Sequence, residues 1–371
     1  MLTLIADSNI ASLHDYFNEQ VLGQPVHIIA MAGRDITAAV LAEYQPDALL
    51  VRSVTQVNEA LLASNDSVKF VGSATIGTDH IDQDYLAARQ IRFSNAAGCS
   101  KDSVAQYVLT AILTLRPQYW QSSTTSISTP TPIKLGIIGL GNIGSTLAHY
   151  ALDLGWEVLG YDPLIPSSAI NNASLEQVLT QSQAISLHVP LTTAEQSDYP
   201  TQHLINEDAL AKMSANTLLI NTARGPVISE TALLTDIANT QRKVVLDVFE
   251  HEPSVSEALL NQLAIATPHI AGYTLEGKLR GTQMVFDAFV KAFSEQLIIE
   301  TTALMESLLP NNPYHWPVLK QHPEQLPEFY DILKDDALLR NAVDKTAEQV
   351  PGLAFDQLRK NYDLRREWQR D

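Results

Sequence analysis

The chain has 371 residues, 45% hydrophobic and 18% charged, with a formal net charge of −18. At roughly 150 residues per domain, that predicts two or three domains with packed cores. The acidic balance argues against nucleic acid or an anionic membrane as a general partner, since phosphate binding needs a basic face.

No apolar run approaches the roughly 20 residues that span a bilayer. The single cysteine, Cys99, leaves no internal disulfide and suits a reducing cytoplasm. The N-terminal stretch M-L-T-L-I-A-D has no basic n-region and reaches Asp7 too early for a signal peptide. A soluble cytoplasmic protein is expected.

Along the chain, short apolar runs at Leu2–Ala6, Val26–Ala30, Ala48–Arg52, Lys69–Ser73 and Ile91–Ser94 predict strands. Helix-period segments such as Ile36–Tyr44 and Asp82–Arg89 separate them. Strands alternating with helices predict βαβ units and a parallel sheet. Lys101–Leu115 reads as a long, mostly apolar helix, and Ser122–Pro132 as a Ser/Thr/Pro-rich connector. A second alternating series follows, with strands predicted at Leu135–Ile138, Glu157–Tyr161, Ala184–Val189, Thr217–Asn221, Val244–Asp247 and Ala264–Thr267. Six strands with intervening helices suit a doubly wound α/β nucleotide-binding sheet. A helix is expected from Thr274 to about Gln296, then a Pro-punctuated, charged and helical third module.

The second series opens on L-G-I-I-G-L-G-N-I-G, in which Gly139, Gly141 and Gly144 form G-x-G-x-x-G. The first glycine permits a tight turn, the second lets backbone approach a pyrophosphate, and the third lets helix and strand pack closely. The pattern alone is weak and often marks only a glycine-rich turn. Here it follows an apolar strand and precedes a helical stretch. The next strand ends in Asp162, eighteen residues after Gly144, where an acid would bind the ribose 2′-hydroxyl. That carboxylate would repel a 2′-phosphate, so NAD is expected over NADP.

Three later strands end in groups that carry chemistry. Thr217–Asn221 runs into Thr222-Ala223-Arg224-Gly225, Val244–Asp247 into Val248-Phe249-Glu250-His251-Glu252-Pro253, and Ala264–Thr267 into Pro268-His269. Ligands of open α/β sheets bind beyond the carboxyl ends of strands, so an Arg, an acid and a His can converge. The set suits oxidation of a 2-hydroxy acid. Arg binds a carboxylate with its planar fork, and His takes the hydroxyl proton as hydride leaves the same carbon. An acid on the other ring nitrogen would fix the tautomer. Glu252 is the first candidate for that acid, and neighbouring Glu250 stays open as the alternative.

G-L-G-N-I-G, N-T-A-R-G, L-D-V-F-E-H-E-P and T-P-H-I-A-G, in that order, resemble the D-2-hydroxyacid dehydrogenase family over about residues 1–290. The resemblance implies a flavodoxin-like substrate domain at residues 1–98, completed by about 271–296, and a Rossmann-type NAD domain at 99–270. It implies a catalytic set of Arg224, Glu252 and His269, with Arg224 on the substrate carboxylate and carbonyl. The cofactor would be held by Gly139, Gly141, Asn142, Ile143, Gly144, Asp162, Val189, Thr222, Ala223, Arg224, Asp247 and Gly272. No metal is expected.

Further stretches narrow the resemblance. V-R-S-V-T-Q-V-N-E, V-G-S-A-T-I-G-T-D-H, H-I-A-G-Y-T-L-E-G-K and L-R-K-N-Y-D-L-R-R-E-W are similar to a branch of the family that acts in pyridoxal phosphate synthesis. That branch implies 4-phospho-D-erythronate as substrate, with contacts at Ser53, Thr75 and Tyr273. It also implies a small α+β dimerisation module at 297–371, hence a homodimer. Val189 departs from the branch, which often has Thr there, so any cofactor contact at Val189 is through backbone. The basic residues Arg52, Arg359, Lys360, Arg365 and Arg366 are candidates for the substrate phosphate, a solvated helix face being the plainer reading of the last four. Another 2-hydroxyacid dehydrogenase activity, or a noncatalytic NAD-sensing regulator, shares the central motifs.

Overall fold

A computed structural model describes residues 1–116, 133–293 and 301–370. The connector expected at Ser122–Pro132 lies outside these residues, as does the expected helix end at Gln296. The chain forms two units, one of Met1–Ser100 with Thr274–Asn312, the other of Lys101–Tyr273 with Pro313–Asp371.

In the first unit, β1 (Leu2–Asp7), β2 (Val26–Met31), β3 (Ala48–Val51), β4 (Phe70–Ser73) and β5 (Arg92–Asn95) form a sheet in the order β2-β1-β3-β4-β5. Every pairing is parallel. The run A-L-L-V of β3 is buried at every position, as a strand covered on both faces must be. The helix Leu275–Phe293 returns to this unit and packs on β4 and β5. Its Phe286 and Phe289 meet Phe17 edge-on, both with ring centroids 5.3 Å apart.

In the second unit, β6 (Lys134–Ile138), β7 (Glu157–Tyr161), β8 (Ala184–Leu187), β9 (Leu218–Asn221), β10 (Val244–Leu246), β11 (Val255–Ser256), β12 (Ile265–Ala266) and β13 (Gln349–Val350) follow in chain order. The parallel sheet runs β12-β10-β9-β8-β6-β7, and β11 pairs antiparallel with β13. All six strands expected in the second series are present, some shorter by a residue or two at their ends. The strand order reverses at β6, so a crevice opens beyond its carboxyl end, where the glycine loop lies. The helix Lys101–Leu115 has the bounds expected and is buried from Ser103 to Leu113.

The sequence predicts a separate module from residue 297. The contacts divide that stretch instead, assigning residues up to Asn312 to the first unit and Pro313 onward to the second. Aromatic packing is the physical reason. Trp316 and Trp368 stack with centroids 5.5 Å apart, and Tyr150 meets Trp316 edge-on at 4.7 Å. Trp316, Leu326, Ile332 and Trp368 share one core with Leu135 and Ile137 of β6.

Candidate active site

The glycine loop is built by close approach. Gly139 has a φ of 89°, and a Cβ there would lie 2.6 Å from the His188 carbonyl oxygen. A Cβ on Gly144 would collide with the Gly139 carbonyl. Gly141, by contrast, has no heavy atom within 4 Å of a built Cβ, so protein packing does not demand a glycine there. It caps the helix Asn142–Asp153, and Gly141 and Asn142 are exposed with Ile143 half-buried. A bare helix N-terminus behind a glycine is the cradle a pyrophosphate needs.

Asp162 follows β7 and holds the loop. Its carboxylate accepts the backbone N–H of Leu140 and that of Leu164, each at 2.9 Å. Asn171 folds the following segment back, donating to the carbonyls of Asp162 and Ile165 at 2.9 Å. Val189 lies against the same loop, its Cγ1 2.8 Å from where a Gly139 Cβ would be.

Two further polar atoms point to a bound group. Thr222 Oγ1 and His188 Nδ1 are buried without a hydrogen-bond partner among the described residues. Such atoms are costly unless something pairs with them. Burial pushes the His188 imidazole down to about 3, so the ring is neutral at physiological pH. Its Nε2 lies 2.9 Å from Ser186 Oγ. Sequence reasoning missed His188, although S-L-H-V-P ends a strand of the same sheet just as the other functional groups do. The residues present fit a dinucleotide.

Beyond β9, the buried Asn221 shapes the Arg224 loop. Its side chain accepts from Ala223 N at 3.0 Å and donates to Arg224 O at 2.8 Å. The half-buried Arg224 donates to the Ala223 carbonyl at 2.7 Å. A Cβ on Gly225 would collide with the Phe249 carbonyl, so this glycine lets the loop after β9 pack on the loop after β10.

Beyond β10 and β12, His269 Nδ1 lies 2.9 Å from Glu252 Oε2. Glu252 Oε1 accepts Phe249 N–H at 2.9 Å, which fixes the carboxylate. Burial pushes Glu252 up, but His269, the Phe249 N–H and the nearby Arg359 outweigh it and hold the carboxyl below the usual range. Glu250 is engaged elsewhere, 2.6 Å from His203 Nε2 and accepting Glu230 N–H at 2.8 Å. Of the two acids left open by the sequence, geometry pairs Glu252 with His269.

Asp247 is fully enclosed and clamps the His269 loop. It accepts Thr267 Oγ1 at 2.6 Å, Ile270 N at 2.8 Å and Ala271 N at 2.9 Å. His269 itself has a φ of 56°, and its N–H donates to Asp247 O at 2.8 Å. Half-buried Gly272 and Tyr273 close the loop. Tyr273 meets Tyr362 edge-on at 6.0 Å, and the Arg359 guanidinium carbon lies 6.0 Å from its ring centroid.

Ser53 and Thr75 belong to the first unit. Ser53 is exposed just past β3, and Thr75 lies just past β4 with its Oγ1 2.8 Å from Ser73 Oγ. Arg52 donates to Asn9 O at 3.4 Å. Of the tail cations, Arg365 lies past the helix Gly352–Lys360 and is half-buried rather than on a solvated helix face. Its Nη2 donates to Ile270 O at 3.2 Å and Ala271 O at 2.6 Å, and Nη1 is buried. Among the described residues, no helix is long and apolar enough to cross a membrane.

The family model described as the NAD-binding domain of D-isomer specific 2-hydroxyacid dehydrogenases matches residues 105–271. A second, a domain of unknown function (DUF3410), matches residues 321–370. The chain is 64% identical over 373 residues to the erythronate-4-phosphate dehydrogenase of Psychrobacter sp. (strain PRwf-1), covering 99% of each chain. It is 47% identical over 373 residues to the protein of that name in Acinetobacter baumannii (strain AYE), covering 99% of this chain and 98% of the other. Among solved structures, D-lactate dehydrogenase from Aquifex aeolicus, complexed with NAD and lactic acid, is similar with a TM-score of 0.61 at 26% identity, over 83% of this chain and all of that one.

Proposed function

The chain belongs to the D-isomer specific 2-hydroxyacid dehydrogenase family, and we propose that it oxidises 4-phospho-D-erythronate at C2 to 2-oxo-3-hydroxy-4-phosphobutanoate, with NAD as acceptor. The observation that carries the reading is the Glu252–His269 pair at 2.9 Å, in the loops that follow β10 and β12 of the sheet that bears the glycine loop. The near full-length likeness to proteins of one name supports the choice of substrate.

Bound NAD would supply the acceptor for the hydride that leaves C2. His269 removes the C2 hydroxyl proton through Nε2, because Nδ1 faces Glu252. Glu252 stabilises the imidazolium that results and holds the ring's orientation. Arg224 holds the substrate carboxylate, which fixes C2 relative to the base. In the reverse direction His269 returns the proton. Asp162 would hold the adenosine ribose, and the first turn of Asn142–Asp153 the pyrophosphate. Ser53, Thr75 and Tyr273 offer hydroxyls suited to a polyhydroxylated acid. Arg52 is the candidate cation for the phosphate.

The reading places the protein in the cytoplasm, in pyridoxal 5′-phosphate synthesis, and makes it a homodimer. Support for the dimer is a groove of about 670 Å³ lined by Phe329, Leu338, Ala354, Leu358 and Tyr362. Within the same stretch Leu339 and Val350 are in the chain's own core, whereas Leu333 and Leu338 stay exposed.

The test is nicotinamide absorbance with purified protein and a panel of erythronate 4-phosphate, erythronate and 3-phosphoglycerate. Preference for erythronate 4-phosphate is expected. Preference for 3-phosphoglycerate would leave the family and overturn the substrate. No activity with any 2-hydroxy acid would favour a noncatalytic NAD-binding regulator.

A further inference from the structure

The His269 loop is gripped from two sides. The peptide joining Ile270 to Ala271 gives its N–H to Asp247 Oδ2 at 2.9 Å and its carbonyl to Arg365 Nη2 at 3.2 Å. Arg365 also takes the next carbonyl, Ala271 O, at 2.6 Å. Asp247 takes the preceding N–H, that of Ile270, at 2.8 Å. An anion on the sheet and a cation from the chain's last turns thus fix consecutive peptide planes directly after His269.

Arg365 is itself held in place. Its guanidinium carbon sits 4.0 Å from the Tyr330 ring centroid, and 5.9 Å from those of Tyr107 and Tyr362. The hydroxyls of Tyr330 and Tyr362 both donate to the buried Asp335 carboxylate at 2.8 Å. Tyr107 Oη is in turn 2.6 Å from Thr267 Oγ1, the hydroxyl that donates to Asp247. One connected network therefore runs from Asp335 through the tyrosines and Arg365 to the loop and back to Asp247.

We propose that Arg365 is a positioning residue for the reaction, setting where the His269 imidazole stands, so that the C-terminal segment is part of the catalytic architecture. This rests on the reading of His269 as the base. His269 occupies the left-handed region with φ of 56°, so its ring direction depends on where the next peptides are pinned. Freeing the Ile270 and Ala271 carbonyls lets that backbone relax and moves the ring. A base displaced by about 1 Å costs on the order of 100-fold in rate.

The experiment uses the full chain with Arg365→Lys. Lysine keeps the charge but lacks the planar guanidinium that lies over the Tyr330 ring and so aims Nη2 at both carbonyls. The expected result is a folded protein with kcat lowered roughly 10- to 100-fold. The affinity for NADH, read by fluorescence titration, stays unchanged. The isotope effect with substrate deuterated at C2 rises, because chemistry becomes more rate-limiting. Tyr330→Leu removes the ring beneath the guanidinium and should give a smaller loss in the same direction. Wild-type kcat and isotope effect in folded Arg365→Lys overturn the proposal. If Arg365→Lys does not fold, Tyr330→Leu decides by the same readouts, and loss of fold in both assigns Arg365 a purely structural role. A wild-type protein that oxidises no 2-hydroxy acid overturns the functional reading instead, which keeps the two failures distinct.

Discussion

Glu252 and His269, seventeen residues apart in sequence, meet with Oε2 2.9 Å from Nδ1. They reach each other because β10 and β12 are adjacent parallel strands whose carboxyl ends open on the same edge. Glu252 is fixed by Phe249 N–H, and His269 by the Asp247 clamp on its loop.

The first prediction concerns His269. The left-handed backbone there suits His and Asn better than most residues, so His269→Asn removes the base with the least strain. Turnover should fall by roughly 10²–10⁴-fold while NADH binding persists. Turnover near wild type would make His269 a packing residue.

The second concerns acid stability. The folded Glu252 carboxyl lies below its ordinary range. A depressed folded pKa contributes stability that is present in full above the unfolded value, about 4.3. That stability is lost as pH falls from there through the folded value. Melting temperatures of wild type and Glu252→Gln should therefore differ at neutral pH and converge across that window. Arg359 helps hold the carboxyl down, so in Arg359→Ala the window should narrow, the loss starting at the same pH and being complete at a higher one. A wild-type-to-variant gap that is constant with pH would show that Glu252 has no such coupling.

What was legible in the sequence follows from what made each feature. Strands such as A-L-L-V of β3 and L-L-I-N of β9 are buried on both faces, so their apolar runs are continuous and easily read. The residues at strand ends were legible because α/β sheets direct ligands there. Arg365 was not. In L-R-K-N-Y-D-L-R-R-E-W it stands among charged neighbours and looks solvated, yet Tyr107, Tyr330 and Tyr362 enclose its guanidinium. That enclosure depends on docking of the whole stretch after Pro313, which no local pattern encodes. The pairing of Trp316 with Trp368 across some fifty residues is equally invisible to periodicity.

The third prediction separates two glycines of one motif. Gly144→Ala drives a methyl into the Gly139 carbonyl and should destabilise the protein by about 1–3 kcal/mol or more. Gly141→Ala meets no protein atom, and as a helix cap it should cost no more than about 1 kcal/mol. NADH affinity should nonetheless fall roughly tenfold or more, about 1.4 kcal/mol. Unchanged NADH affinity in Gly141→Ala would place the pyrophosphate elsewhere.

The fourth concerns Asp162, whose two loop hydrogen bonds make it more than a ribose acceptor. Asp162→Ser should narrow the preference for NAD over NADP by removing the charge that repels a 2′-phosphate. It should also weaken binding of both cofactors, because Leu140 N–H loses its acceptor. Dissociation constants for NADH and NADPH measured side by side check both parts. An unchanged ratio puts the ribose away from Asp162, and a changed ratio with undiminished NADH binding leaves the loop bond without a role.

The last prediction concerns association. Cutting the chain near Glu300 would remove Trp316, Leu326, Ile332 and Trp368 from the core they share with β6. Such a truncation would therefore unfold the second unit rather than report on a dimer. A surface charge is the cleaner probe. Leu333 and Leu338, on the helix Ile332–Asn341, are 49% and 44% exposed, and Phe329 nearby is 36% exposed. Apolar side chains grouped beside a groove mark a protein–protein contact more often than scattered single ones do. Leu338→Glu places a carboxylate in that face, where desolvation on association would be unfavourable by several kcal/mol. It should leave the monomer fold intact, since the side chain already reaches solvent. Sedimentation at micromolar concentration should show a dimer for wild type and mostly monomer for the variant. Equal sedimentation of the two would move the contact to another face, and a wild-type monomer would overturn the homodimer itself.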